Sequence, residues 1–418
     1  MLIKVDENGN WRSFRHRNFR ILYPANALSN IGTWAQRVAQ DWLVLELTDN
    51  NGFYLGLVTA IQFAPVLLFS LQGGAMADRI DKRKLLIWTN IVAALACYTL
   101  GILVVTEVIQ LWHVFVCAAV LGVSSALDAP IRQSFTAEIV GHSDVANAVS
   151  LNSANFNAGR LVGPALSGFL IARFDTGPSF LINATTYLFV ILSLFFMRSS
   201  DFFIQKKEET LGTIREGLHY AKARPDLYVV MALVFFAATF GLNFQIFNAL
   251  MATKEFGKGP ASYGLLGTFI AVGSLSGALI SARLERFRDA KLVMKLGILF
   301  SIIVIVLSVM PTYTWYSLWL PVCGISALTM LICANSYVQV NSDPAVRGRV
   351  MGIYLLVFMG GTPVGSLLIG YLTEALGTRE TIALCGGFSL LMCLLIWFFF
   401  NDKVERPDDL RVSSVLGK

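Results

Sequence analysis

The stretch Gly73-Gly-Ala-Met-Ala-Asp-Arg-Ile-Asp-Lys-Arg-Lys-Leu-Leu86 decides how the chain is read. It joins two long apolar runs, Phe53 to Ala77 and Leu85 to Thr106. A helix needs about 20 apolar residues to cross a bilayer core, and each run is that long. Between them stand Asp78, Arg79, Asp81, Lys82, Arg83 and Lys84, with almost nothing apolar. A turn this charged belongs at the membrane surface. Its excess of Lys and Arg places it on the cytoplasmic side.

Composition extends this reading to the whole chain. Of 418 residues, 55% are hydrophobic and 14% charged, and mean hydropathy is +0.63. Soluble domains carry about 25% charged residues, so the composition points to an all-α polytopic membrane protein. The net charge of +6 follows the loops and is no nucleic-acid footprint. The first 20 residues are basic (Lys4, Arg12, Arg15, Arg17, Arg20), without the short apolar run of a cleaved signal peptide. All six Cys (Cys97, Cys117, Cys323, Cys333, Cys385, Cys393) fall in apolar runs and none forms Cys-x-x-Cys, so they read as packing residues. His16, His113, His142 and His219 do not cluster, which leaves a metal centre without ligands. No phosphate-binding Gly-x-x-x-x-Gly-Lys-Ser/Thr loop is present. Nor does a span end gather the His, Asp, Glu or Cys cluster a membrane enzyme would need. The expectation is no enzyme, no metal and no cofactor.

Twelve candidate spans follow: 20–47, 53–77, 85–106, 110–134, 147–173, 178–198, 227–250, 261–283, 291–310, 314–340, 349–375 and 380–401. Only helices suit runs this long, because a backbone in lipid must satisfy its own hydrogen bonds. With the N-terminus inside, the inner segments hold 27 Lys and Arg and the outer loops 4, with Arg37 and Arg160 embedded. That bias sets both termini in the cytoplasm. The predicted organisation is a tail (1–19), a six-helix bundle (20–198), a middle loop (199–226), a second six-helix bundle (227–401) and a tail (402–418). In the middle loop Leu211, Ile214, Leu218 and Ala221 have helical spacing, which reads either as a short amphipathic helix on the inner leaflet or as a plain tether.

The halves repeat each other. Gly159-x-x-x-Gly163-Pro164-x-x-x-Gly168 matches Gly361-x-x-x-Gly365-x-x-x-x-Gly370 at an offset of 202, and Gly74 matches Gly277 at 203. Small residues at this spacing let helices approach closely in lipid. Pro164 and Pro363 remove backbone donors and favour bends, so each half is expected to hold a bendable helix. Tight packing without motion is the plainer alternative.

Charge inside a span is costly and marks candidate functional sites. Arg37 and Asp41 lie one turn apart, as do Asp128 and Arg132; each pair either self-neutralises or works in transport. Arg160 sits about 14 residues, or roughly 20 Å, into its span, with no acid within a turn. Asp41 or Asp128 is its expected partner. The second half offers neutral polar residues, Asn243, Gln245, Asn248, Asn335 and Gln339, which with Asn152, Asn155 and Asn157 could line a cavity. Phe235, Phe236, Phe240, Phe244 and Phe247 form a stripe that is either an aromatic cavity wall or ordinary packing.

Gly74-x-x-x-Asp78-Arg79-x-x-Lys82-Arg83 resembles the loop signature of the major facilitator superfamily, with Asp81 standing where that family commonly has Gly. The resemblance implies that this loop latches one of two transport states. It also implies two six-helix bundles with substrate bound between them near the midplane. Four further phrases resemble the enterobactin-exporter and macrolide-efflux branch of the drug exporters. They are Trp34-x-Gln36-Arg37-x-Ala39-Gln40-x-Trp42-Leu43, Asp128-Ala-Pro-x-Arg132-Gln133, Asn152-x-x-x-x-Asn157-x-x-Arg160-Leu-x-Gly163-Pro164 and Arg347-Gly-Arg349-Val-Met-Gly352. Gly163-Pro164 also resembles the exporters' fifth-span signature. What this implies is a monomeric exporter of a small amphiphilic molecule, driven by inward proton movement. The fourth span lacks the Arg-x-x-Gln-Gly proton relay of other drug exporters, so Asp41 or Asp128 would carry the proton, loosening a pairing with Arg160. An importer or uncoupled facilitator would share the fold; a membrane scaffold would have no use for Arg160.

Overall fold

The computed structural model describes residue 9 and residues 11–203, 214–284, 289–344 and 346–404, apart from the side chains of 70–79, 214–215 and 403. Every long apolar run folds as helix. The first six are α1 (Arg17–Leu47), α2 (Gly52–Arg79), α3 (Lys82–Val105), α4 (Leu111–Val140), α5 (Val145–Phe174) and α6 (Gly177–Phe195). After the short α7 (Ile214–Ala223), the next run is irregular. It comprises α8 (Pro225–Phe236), a π-helical turn at Ala237–Gly241, α9 (Phe244–Leu250) and a second π-helical turn at Met251–Glu255. Then come α10 (Pro260–Arg283), α11 (Ala290–Ser308) and α12 (Tyr313–Asn341). The eleventh run splits at Gly361 into α13 (Arg347–Gly360) and α14 (Thr362–Ala375), and α15 (Thr378–Phe400) closes the series.

Among the described residues, ten helical stretches are long and apolar enough to cross a membrane. Helices α1 and α5, with 31 and 30 residues, have the length but not the apolarity. They carry buried polar groups instead, Gln36, Gln40 and Asp41 on α1 and Asn155 on α5. Polar groups at such depth need protein partners, and the two helices pack on each other.

The glycine repeat shows how. A Cβ on Gly159 would fall 2.9 Å from Asn30, and one on Gly163 2.5 Å from Trp34 Cβ, so these two glycines seat α5 on α1. In the second copy Gly361 and Gly365 press on Thr239 in the first π-helical turn. The third glycine of each copy faces the other half. A Cβ on Gly168 would meet the Pro260 carbonyl oxygen of α10 at 2.7 Å, and one on Gly370 the Gly52 oxygen of α2 at 2.5 Å. The prolines do not behave alike. Helix α5 runs on through Pro164, whereas Pro363 starts α14 just after the break.

Alternating helix directions place the starts of α1, α3 and α5 at one end, the near end, and Gly52, Pro260 and Gly370 at the far end. The two helix groups meet at the far end along two seams, α5 with α10 and α2 with α14. Thr268 Oγ1 donates to the Leu161 carbonyl at 3.0 Å on one seam. On the other, Glu374 accepts from the Gly52 amide at 2.5 Å and pairs with Lys254. One apolar core joins both groups there, while α1–α6 keep a separate near-end core around Leu86, Ile131, Phe135 and Leu194. At the near end, Asn18 bonds Arg198 within the first group, and Tyr337 bonds Asp226 within the second.

Two open readings can be taken further. Helix α7 forms, and one side of it docks on α13. Gly217 abuts Arg349 and Ile353 of α13, Ala221 is buried and only Leu218 points outward. Leu211 and the Ile214 side chain lie outside the described residues. The phenylalanine stripe is packing: Phe236 and Phe240 pack on Phe388 of α15 and Phe244 on Phe300 of α11. Phe244 and Phe247 are buried.

Candidate transport site

Asp41 lies on the face of α1 turned toward the second helix group and is 1% exposed. Its Oδ2 accepts from Gln245 Nε2 of α9 at 2.5 Å and from the Tyr263 hydroxyl of α10 at 2.7 Å. Trp42 stacks on Tyr263, with ring centroids 6.4 Å apart. One carboxylate oxygen thus ties the first helix group to two helices of the second, between the seams. The opposite face of α1 is fixed within its own group, where Gln36 accepts from Asn183 at 2.6 Å and from Cys97 at 3.3 Å. Gln245 reaches Asp41 because the chain restarts as α9 after the first π-helical turn. Asn243 serves that restart, donating to the Thr239 carbonyl at 2.8 Å.

Arg37 is one turn nearer the near end, on the same face as Asp41, since residues four apart on a helix are neighbours. Its guanidinium carbon lies 4.9 Å from the Trp34 ring centroid and 5.7 Å from that of Phe63, and its buried Nε has no hydrogen-bond partner. Arg160 lies 5.8 Å from the same Trp34 ring, whose edge meets Phe156. Two half-buried cations therefore share one indole. Among the described residues, neither has a carboxylate within salt-bridge distance.

That corrects the expected pairing of Arg160. Asp41 is committed to Gln245 and Tyr263, and Asp128 is enclosed. Arg132 grips Asp128 with both prongs of its fork at 2.7 and 2.9 Å, while Thr89 and Asn90 donate to it at 3.0 and 3.1 Å. Arg132 also reaches Asn26 at 2.5 Å. The Asp128–Arg132 pair braces α1, α3 and α4. Bidentate geometry of this kind is strong and specific.

The remaining candidates disperse. Asn155 is buried near the Tyr23 carbonyl at 3.5 Å, and Asn152 bonds Thr136 at 3.4 Å. Asn335 is half-buried on α12, away from Asp41's bonds. In the charged loop, the side chains of Gly74, Asp78 and Arg79 lie outside the described residues. Lys82 pairs with Glu138 of α4. Arg83 donates to the Phe195 carbonyl at 2.9 Å, closing the end of α6. Asp81 accepts from the Lys84 amide at 3.2 Å as the cap of α3, with φ −55°, so the turn has no need of glycine. Tyr263 is the residue that sequence reasoning missed. A tyrosine just inside a span start resembles an ordinary interfacial residue, and nothing local marks it as a partner of Asp41. Among the described residues no group of His, Cys, Asp and Glu is placed to hold a metal, and all six cysteines are buried and outside any disulfide.

Two helix groups closing over buried charge suit a membrane transporter, and the relatives of the chain place it in the major facilitator superfamily. It belongs to the family of transmembrane secretion effectors, matching that family over residues 8–415. It is 23% identical to the staphyloferrin A transporter of Staphylococcus aureus over 92% of this chain and 97% of that one. It is 24% identical to the enterobactin exporter EntS of Shigella boydii over 94% and 93%, and 25% identical to the multidrug efflux pump Tap of Mycolicibacterium fortuitum over 86% and 89%. Its fold is similar to a bacterial homologue of the human lysosomal transporter Spinster, with a TM-score of 0.75, 14% identity, and coverage of 94% of this chain and 99% of that one. The protein is thus a multi-pass membrane transporter, similar to siderophore transporters and a drug efflux pump.

Proposed function

We propose that this protein exports a small amphiphilic molecule across the bacterial cytoplasmic membrane in exchange for protons. On this reading α1 and α5 also cross, giving twelve spans in two six-helix bundles. The near end is cytoplasmic, and the conformation described above is open inward. The export direction is supported by relatives named exporter and efflux pump.

The observation that carries the coupling is Asp41. Both of its donors are neutral and both reach Oδ2, which leaves Oδ1 to hold a proton. An ionised carboxylate away from water without a cation in contact is expensive, whereas the protonated form suits this site. Loss of the proton lets Arg37, one turn away, compete with Gln245 and Tyr263 for the carboxylate; pairing with Arg37 frees the two donors and loosens the far end. The two states therefore differ in their affinity for a proton, which is what lets a proton gradient shift their balance. Asp128, held by Arg132, braces the bundle. The loop with Gly74, Asp78, Arg79, Lys82 and Arg83 latches the opposite state, when the near ends meet.

Dye accumulation in cells stripped of their own pumps tests this, with the proton gradient collapsed midway. The unaltered protein should lower accumulation until the collapse. Asp41→Asn, a fixed mimic of the protonated group, should reach the membrane and bind cargo yet leave accumulation unchanged. Full gradient-driven efflux by Asp41→Asn would refute the coupling. Downhill transport indifferent to the gradient would instead favour an uncoupled facilitator.

A further inference from the structure

We infer that the cargo is an anion, a carboxylate-bearing molecule with a flat apolar part, held by Arg160 and Arg37 against Trp34. This names the substrate class of the proposed transport site and rests on that proposal for the direction of transport and for the proton on Asp41.

The argument is a charge count across the space between the helix groups. Asp128 and Arg132 cancel at contact distance. Asp41, Arg37 and Arg160 remain. When Asp41 gives up its proton it neutralises Arg37, the cation on its own face. Arg160 is left without an acid. A bare cation at this depth is costly. An indole face returns only about 0.5–2 kcal/mol, and one Trp34 ring already serves two guanidinium groups. Arg37 Nε is buried without a hydrogen bond, so donor capacity is unspent at the same place. A guanidinium fork matches a carboxylate with two parallel hydrogen bonds. Trp34 and Phe63 supply apolar faces beside it, and Gln245 stands one turn further on. A cationic cargo would meet two like charges here and no free carboxylate.

The count also fits exchange with protons. With Asp41 ionised, Arg37 and Arg160 leave one positive charge, which a bound anion cancels on the outward leg. With Asp41 protonated and cargo released, both cations are uncompensated.

The test uses the full-length purified protein and two fluorescent probes that share a xanthene ring system, anionic 5-carboxyfluorescein and cationic rhodamine 6G, read by fluorescence polarisation. Carboxyfluorescein should bind more tightly. Arg160→Gln should weaken it by roughly tenfold or more, the scale of a lost charged hydrogen bond, while Arg160→Lys retains part of the affinity. Citrate should displace carboxyfluorescein from the unaltered protein, a readout that needs no substitution. Tighter binding of rhodamine 6G, anion binding indifferent to both Arg160→Gln and Arg37→Gln, or no anion binding at all would overturn the inference. Inverted, respiring membrane vesicles separate the two proposals. Arg160-dependent binding of carboxyfluorescein without accumulation in them sinks export and leaves the anion site standing. Accumulation of rhodamine 6G alone keeps export and removes the anion site.

Discussion

Replacing Gly168 by alanine tests whether the far-end seam belongs to one transport state. The new Cβ would sit 2.7 Å from the Pro260 carbonyl oxygen, 3.1 Å from Ala261 Cα and 3.2 Å from Gly264 Cα. All three neighbours are backbone and cannot rotate aside, so α5 and α10 must part. Overpacking of this kind costs about 1–3 kcal/mol. The contact joins the two helix groups, so the cost falls on the far-end-closed state alone. A difference of that size shifts the ratio of closed to open forms by about five- to 150-fold. Spin labels at Leu47→Cys and Lys258→Cys straddle the far end on different groups. The native cysteines are buried and stay out of the measurement. Electron–electron resonance distances should gain a longer component in Gly168→Ala. Gly370→Ala should do the same from the other seam, where its Cβ meets Gly52, Phe53 and Gly56 at 2.5–3.2 Å. Unchanged distances in both variants, with both still folded, would show that the glycines serve packing within a fixed assembly and refute the two-state argument.

Three further outcomes follow from the geometry. Glu374→Gln removes the Lys254 ion pair and weakens the acceptor for the Gly52 amide. Because both charged groups are about one-third exposed, the effect should be at most about 1 kcal/mol, seen as faster far-end labelling that raised salt reproduces in the unaltered protein. Arg132→Ala strands Asp128 with only neutral donors and should lower thermal stability by roughly 2 kcal/mol or more. Adding Asp128→Asn should restore much of that loss, and Asp128→Asn alone should keep export; loss of export in a stable Asp128→Asn protein would return Asp128 to the coupling machinery. At the near-end surface, burial pushes the Asp144 carboxyl up, but the His16 hydrogen bond and the charges of Arg15 and His16 outweigh it and hold the group below its ordinary 3.8. Its folded value is depressed, so its stabilisation is complete above the ordinary value and disappears as pH falls through the lowered one. On acidification the unaltered protein should lose melting temperature faster than Asp144→Asn; parallel curves would contradict this.

Helices were legible wherever apolar runs reached membrane length, and so was the repeat, because glycine spacing survives where side chains have diverged. The buried charges were legible as residues but not as pairs. Arg37 and Asp41 share a helix face by arithmetic, whereas the partner of Asp41 depends on how α9 and α10 approach from the other half. The π-helical turn at Ala237–Gly241 sets the azimuth of Gln245, and no composition signal announces it: Ala, Ala, Thr, Phe and Gly suit an ordinary helix. Gly361 carries a break and Gly159 does not, although both occupy the same place in the repeat. Pro363, two residues on, lacks the amide a continuous helix would use, and the first copy has Leu161 at that place.

The far-end closure has a consequence for the cell that carries the protein. A membrane potential of 100 mV is worth about 2.3 kcal/mol for each charge that crosses, and on the proposed reading every copy of the transporter in the cytoplasmic membrane is a plug in that store. A substitution that props both seams open along with the near end makes a leak rather than a slow pump. Selection on Gly168, Gly264, Gly56 and Gly370 then acts through the host's respiration and growth even where no cargo is present, and a damaged seam is dominant over intact copies in the same membrane.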